Sequence, residues 1–226
     1  MITYNSPKYN NLSKKILEIL NFNNIDTSDS EIKIPSNVLD TITSLVQDCV
    51  APNNNFLTEK CPKCGKKHLK IFNSTYSRNV ILKINNILIK VKLVVPRVIC
   101  ENCGSTHAAL PDFCVPLKQY SKEAILEIVI KATKSSADNV ANDLNIEPRQ
   151  VRRFISLVKI FLPNLSLLAK ELEIVINFIE VTLKNLYILL NKIPNITETY
   201  FNSFKSIFLY KPIRRFLYFE YAKLSI

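Results

Sequence analysis

The chain has 226 residues, 47% of them hydrophobic and 22% charged, with a formal net charge of +11. That length and apolar content allow one large domain or a few small ones with a packed core, and exclude a disordered chain. The charge excess is local. Residues 60–100 carry ten Lys or Arg and no Asp or Glu, whereas residues 1–59 carry four basic and seven acidic residues. A concentrated positive field of this kind suits a polyanion, nucleic acid before an acidic membrane surface.

In chain order, the opening MITYNSPKYNNLSK contains no apolar core of the sort a secretory signal needs, so a cytoplasmic location is expected. Residues 12–22 and 36–50 have helical periodicity, with a polar loop at 26–31 and Ser36 placed to cap the second helix. Residues 51–60, with Pro52 and three asparagines, form a linker. These features delimit an N-terminal helical segment over residues 1–58.

A zinc ribbon is expected over residues 59–117. The only two glycines each follow a Cys-x-x-Cys directly, in Cys61-Pro62-Lys63-Cys64-Gly65 and Cys100-Glu101-Asn102-Cys103-Gly104. A knuckle wraps backbone amides around a thiolate and usually needs a residue with φ > 0, which glycine adopts without steric cost. Cys61, Cys64, Cys100 and Cys103 then supply the four soft ligands that structural Zn²⁺ prefers, leaving no position for an activated water. Zinc in such modules contributes much of the folding free energy. The only two histidines, His68 and His107, each lie four residues beyond a second cysteine. They are read as donors to a thiolate or contacts to phosphate, with an alternative ligand role left open. Cys49 and Cys114 have no partner at ligand spacing and read as buried thiols. Between the knuckles, residues 79–84 and 87–95 are apolar and β-branched, and Asn85-Asn86 suits a tight hairpin. In the second run Lys90 and Lys92 alternate with Ile89, Val91 and Leu93, so one face is buried and the other is a basic stripe. With Lys63, Lys66, Lys67, Lys70, Arg78, Lys83 and Arg97, this surface favours nucleic-acid contact.

Residues 118–162 read as a helix-turn-helix unit. A helix over 121–134 precedes two shorter helical patterns that run to about residue 161, where Pro163 ends the set. Val140 and Ala141 provide the close helix–helix approach, Asn145 tolerates the turn conformation, and Pro148 opens the next helix. Val151, Phe154 and Val158 form the buried stripe. Arg149, Gln150, Arg152 and Arg153 are left exposed to read base edges or hold phosphates, and Ser135 and Ser136 cap the first helix, with Ser136 also near phosphate. Beyond, residues 163–226 form a helical region. Residues 165–192 look like one long apolar helix, which either joins two copies or packs within the monomer. Nine of the 21 aromatics fall in residues 196–226, as a small aromatic core or a stacking surface. The fold class expected is mainly α with a small β zinc ribbon, and no membrane partner is expected because Glu173, Glu180 and Lys184 interrupt the most apolar stretch.

The segment VVPRVICENCGSTHAALPDFCVPLKQYS, with CPKCGKKH ahead of it, resembles a family of bacterial transposase-like zinc-ribbon proteins associated with mobile elements. The matching residues are Cys61, Cys64, Cys100, Cys103, Thr106, His107, Ala108, Leu110 and Pro111, and the likeness covers roughly residues 58–160. It implies DNA binding more securely than any reaction. A transposase core needs three carboxylates on an RNase-H-like sheet. The 65 residues after Phe161 hold five glutamates, no aspartate and no βαβ alternation. The reading is therefore a non-enzymatic, zinc-stabilised binder of double-stranded DNA, a regulator or accessory factor of a mobile element. The alternatives are a truncated or split transposase's DNA-recognition subunit, and a zinc-ribbon adaptor that binds protein.

Overall fold

A computed structural model describes residues 2–4, 9–28, 32–48, 50, 61, 63–111, 113–173, 182–183, 186–193, 196–204 and 208–209. Its elements, in order, are β1 (Ile2–Tyr4), α1 (Tyr9–Phe22), α2 (Ser36–Asp48), β2 (Leu69–Ile84), β3 (Ile87–Cys100), β4 (Thr106–Pro111), α3 (Lys122–Lys134), α4 (Ala137–Asp143), α5 (Pro148–Glu171), α6 (Leu186–Lys192) and α7 (Ile196–Phe204). The strands form one sheet in the order β1-β4-β3-β2. β2 and β3 pair antiparallel from Leu69↔Cys100 to Ile84↔Ile87, β4 is antiparallel to β3, and β1 is parallel to β4.

The expectation of a mainly helical chain with a small ribbon is therefore wrong, and the protein is α/β. The reason lies in the hairpin. β3 continues past residue 95 to Cys100, its alternation shifting phase at Pro96-Arg97, and β2 begins ten residues before the apolar run at 79–84. Strands of 16 and 14 residues far exceed the usual five or six or so. Asn85 makes the turn at φ 51°, as its short polar side chain permits.

The hairpin is sandwiched between helices. On one face, Val80, Leu82, Ile84, Ile89, Val91, Leu93 and Val95 share a core with Leu12, Ile16 and Leu20 of α1 and Val38, Ile42 and Val46 of α2. The edge of β3 at Val94 is closed by Gln47 of α2, which donates to its carbonyl (3.0 Å) and accepts from its amide (2.8 Å). Residues 113–121 wrap around the edge of β2. There Ile81 N–H donates to Gln119 O (2.8 Å) and Ser121 N–H to Ile81 O (2.9 Å). On the opposite face Lys83 meets Glu127 of α3 at 2.9 Å, and Leu88 packs on a second core formed by α3 to α7.

In that second core α5 runs through Pro163 to Glu171, so the expectation that Pro163 ends the helix fails. Val151, Phe154, Val158, Phe161, Leu165 and Leu168 form one buried stripe at three- and four-residue spacing across the proline. Pro163 and Lys159 are exposed, so the carbonyl that loses its amide partner faces water. A single long helix over 165–192 is likewise not found. α5 stops at Glu171, Glu173 has φ 52°, and α6 begins at Leu186. The buried residues Leu165, Leu168, Leu186 and Leu189 are spent within this chain's own core, together with Tyr200 and Phe208. Residues 210–226, the larger part of the aromatic tail, lie outside the described residues, as does Cys49. Among the described residues, no helix is long and apolar enough to cross a membrane.

Candidate metal centre and nucleic-acid interface

The two knuckles repeat one backbone design. Cys61 N–H donates to Lys66 O (2.9 Å) and Gly65 N–H to Cys61 O (2.8 Å); Cys100 N–H donates to Ser105 O (2.9 Å) and Gly104 N–H to Cys100 O (2.8 Å). Both turns require a positive φ, which is +72° at Gly65 and +66° at Gly104. The first knuckle precedes β2, and the second links β3 to β4. Pairing of Leu69 with Cys100 at the open end of the hairpin brings the knuckles together. The four sulfurs lie within 4.8 Å of one another, with Cys61 to Cys103 at 3.7 Å and Cys64 to Cys100 at 3.6 Å. Leu69, Val98 and Ala109 close the cluster from below. Such a four-sulfur set could hold a metal ion.

The thiols are not equivalent. The Ser105 hydroxyl, 3.3 Å from Cys103 Sγ, together with the Ser105 backbone holds that thiol down at about 6. The Lys66 backbone lowers Cys64 below the usual thiol range. Burial pushes Cys100 up to about 11. Thiolates, not thiols, are ligands, so Cys103 and Cys64 are the members of the set that ionise most readily. His107 Nε2 lies 3.4 Å from Cys61 Sγ, and burial, with the charge of Lys63 adding to it, lowers its pKa. His68 is exposed; its carbonyl accepts from Glu101 N–H at 2.8 Å. The symmetric spacing of the two histidines thus does not carry into symmetric places.

Many of the basic residues between the knuckles are engaged. Lys70 pairs with Glu101 and Lys83 with Glu127. Arg78 donates to the carbonyls of Val115 and Lys118, and Arg97 lies 5.6 Å from the centre of the Tyr76 ring. The acidic partners come from outside the 60–100 window, which is why counting within it overstated the free charge. Lys66 and Lys67 are exposed on the first knuckle, and Lys90 and Lys92 on the outer face of β3. That face is the one Leu88 shares with the helical core. The structure does not bring the two groups together. Ten residues of β3 separate Cys100 from Lys90, about 33 Å of strand at about 3.3 Å per residue.

At the helical end the expected Ser135 cap of α4 is not found, because Ser135 is the C-cap residue of α3. Ser136 Oγ accepts from Asn139 N–H (3.1 Å) and caps α4. Asn145 turns at φ 48°, and Pro148 opens α5. Val140, Ala141, Val151, Phe154 and Val158 are buried. Arg149 and Arg153 are exposed and Gln150 is half-buried. Arg152 is exposed too, but its Nη2 donates to both carboxylate oxygens of Asp138, at 2.7 and 2.8 Å. Asp138 gave no signal in the sequence, because its partner lies 14 residues away across the turn. Ser105 did carry one, a hydroxyl directly after a knuckle glycine.

Residues 61–153 match the model of a family described as a domain of unknown function (DUF6431). This is a similarity over less than half of the chain. It begins at the first cysteine and ends at the last of the three arginines that open α5, so it includes both candidate surfaces. Searches of curated proteins and of solved structures found no match.

Proposed function

We propose that the protein is a cytoplasmic, zinc-stabilised DNA-binding protein without enzymatic activity, a regulator or accessory factor of a mobile element. Sulfur spacing supports zinc. Zn–S bonds of about 2.3 Å at tetrahedral angles place sulfurs about 3.8 Å apart; two pairs stand at 3.7 and 3.6 Å and all lie within 4.8 Å. Cys61, Cys64, Cys100 and Cys103 would fill the coordination sphere, so the ion supplies structure.

The observation that supports DNA binding best is the start of α5. A buried stripe fixes the helix while Arg149, Arg152 and Arg153 stand exposed over its first two turns. This is the region a helix-turn-helix offers to base edges in the major groove. Lys90 and Lys92 lie on the side of the sheet that carries this unit and are suited to phosphates. The mobile-element assignment rests on the resemblance through the Thr106-His107-Ala108 and Leu110-Pro111 stretch, which also keeps a split transposase's recognition subunit in view.

The test is selection of duplexes from a random pool by zinc-loaded protein at two salt concentrations. Enrichment of one motif, weakening as salt rises, is the expected result. A second reading, an adaptor that docks on protein, draws on Ile71 and Phe72, which are 49% and 40% exposed near the knuckles. Absence of duplex binding at both salts would transfer the assignment to it. Metal analysis of purified protein should find one zinc per chain.

A further inference from the structure

The contact between Asp138 and Arg152 has an unusual location. Asp138 sits in the first turn of α4 and Arg152 in the second turn of α5, with side chains 59% and 58% exposed. An exposed ion pair adds little stability in general. A carboxylate on this surface is also unfavourable for approach to phosphates. Its geometry nevertheless differs from that of a loose surface pair. Both carboxylate oxygens accept from one terminal nitrogen of the arginine, which ties that end of the guanidinium to α4. Arg149 and Arg153, its neighbours on α5, have no such contact among the described residues and can swing between phosphates and bases.

We propose that Asp138 is a positioning residue that sets the sequence preference of Arg152. This rests on the DNA-binding reading above. The clasp occupies Nη2 and leaves Nη1 to be offered in one direction, toward an acceptor edge such as guanine O6 and N7. It also neutralises the arginine's charge, which weakens its attraction to phosphates at large. The carboxylate thereby lowers affinity for non-cognate duplexes while keeping the cognate base contact. Discrimination by a group that disfavours the wrong partner is a general route to specificity.

The experiment compares zinc-loaded wild type with Asp138→Ala, Arg152→Ala and the double variant in the same random-duplex selection. Thermal melting establishes that each is folded. In Asp138→Ala, the expected result is loss of preference at the one motif position that Arg152→Ala also loses, by roughly tenfold. Affinity for unselected duplex should hold or rise, with a steeper salt dependence as the freed arginine reaches phosphate. Asp138→Glu should restore part of the preference, which a purely structural role does not predict. If Asp138→Ala melts early, Asp138→Asn keeps the shape and removes the charge. A motif unchanged at every position in the aspartate variants would overturn the proposal while leaving DNA binding intact. No enrichment by wild type would overturn the DNA-binding reading itself, and the positioning role with it.

Discussion

Gly65 and Gly104 are held in place by backbone geometry alone. Each has a positive φ, yet nothing lies within 4 Å of where a Cβ would stand. Alanine at either position would meet no neighbour, only the left-handed penalty of about 1–2 kcal/mol. Gly104→Ala should therefore lower the unfolding free energy of the zinc-loaded protein by about that amount in urea titration; a much larger loss would mean that the turn itself rearranges. Both positions were legible in the sequence, because glycine is scarce and its place after the second cysteine is specific. Asn145 was legible for the same reason, as a turn residue between two apolar flanks. The partners of individual charges were not. Lys70, Lys83 and Arg152 find Glu101, Glu127 and Asp138 through strand pairing and helix crossing, and neither leaves a mark on a single sequence.

At the scale of the element, α5 shows one local rule overridden by another. A proline in a helix interior removes a hydrogen bond and costs roughly 3 kcal/mol, and this made residue 163 look like a terminus. Burial of Phe161, Leu165 and Leu168 on one face outweighs that cost, at roughly 1.5–3 kcal/mol for each large side chain. Because Pro163 is exposed, Pro163→Ala should restore the bond without creating a cavity. The expected gain is roughly 1–3 kcal/mol, read as a raised midpoint in denaturant. A loss of stability would show that the proline ring packs usefully. The hairpin carries the complementary lesson. Its turn and its central apolar alternation were evident, but its full length was not. Residues 69–78, which include Asn73, Ser74 and Ser77, lack the β-branched run that marks a strand, and pairing with β3 imposes the conformation.

At the scale of the whole molecule, the knuckles are an appendage to a larger core. The four sulfurs close over Leu69, Val98 and Ala109, whereas one face of the rest of the hairpin is buried against α1 and α2. Metal removal by a chelator should therefore loosen residues 61–69 and 100–106 without unfolding the protein. In hydrogen exchange, the amides of Leu82, Ile89 and Leu93 should keep their protection while those of Cys61, Gly65 and Gly104 lose it. Cooperative loss across all of them would mean that the ion holds the entire fold. Cys100→Ser should reproduce the chelated pattern. This separation was not visible in the sequence, where four cysteines and a hairpin suggested a free-standing ribbon. The contact of α1 and α2 with the strands depends on residues about 40 to 75 positions apart, beyond the range of any local pattern.

The register irregularity between Phe72 and Thr75 has a consequence for behaviour in concentrated solution. Among the described residues β2 is the outermost strand, and the wrapping chain at residues 119–121 meets it at Ile81. Ahead of that point no described strand pairs with its outer edge, and an edge of that kind is a template on which another chain adds a strand, the usual starting point of aggregation. Two unpaired residues, 73 and 74, interrupt the template, and Lys70 places a charge beside it. A bulge of this kind twists an edge away from a prospective partner. Deleting residues 73 and 74 would flatten the strand, and the shortened protein should self-associate, through hydrogen bonds that the native edge withholds.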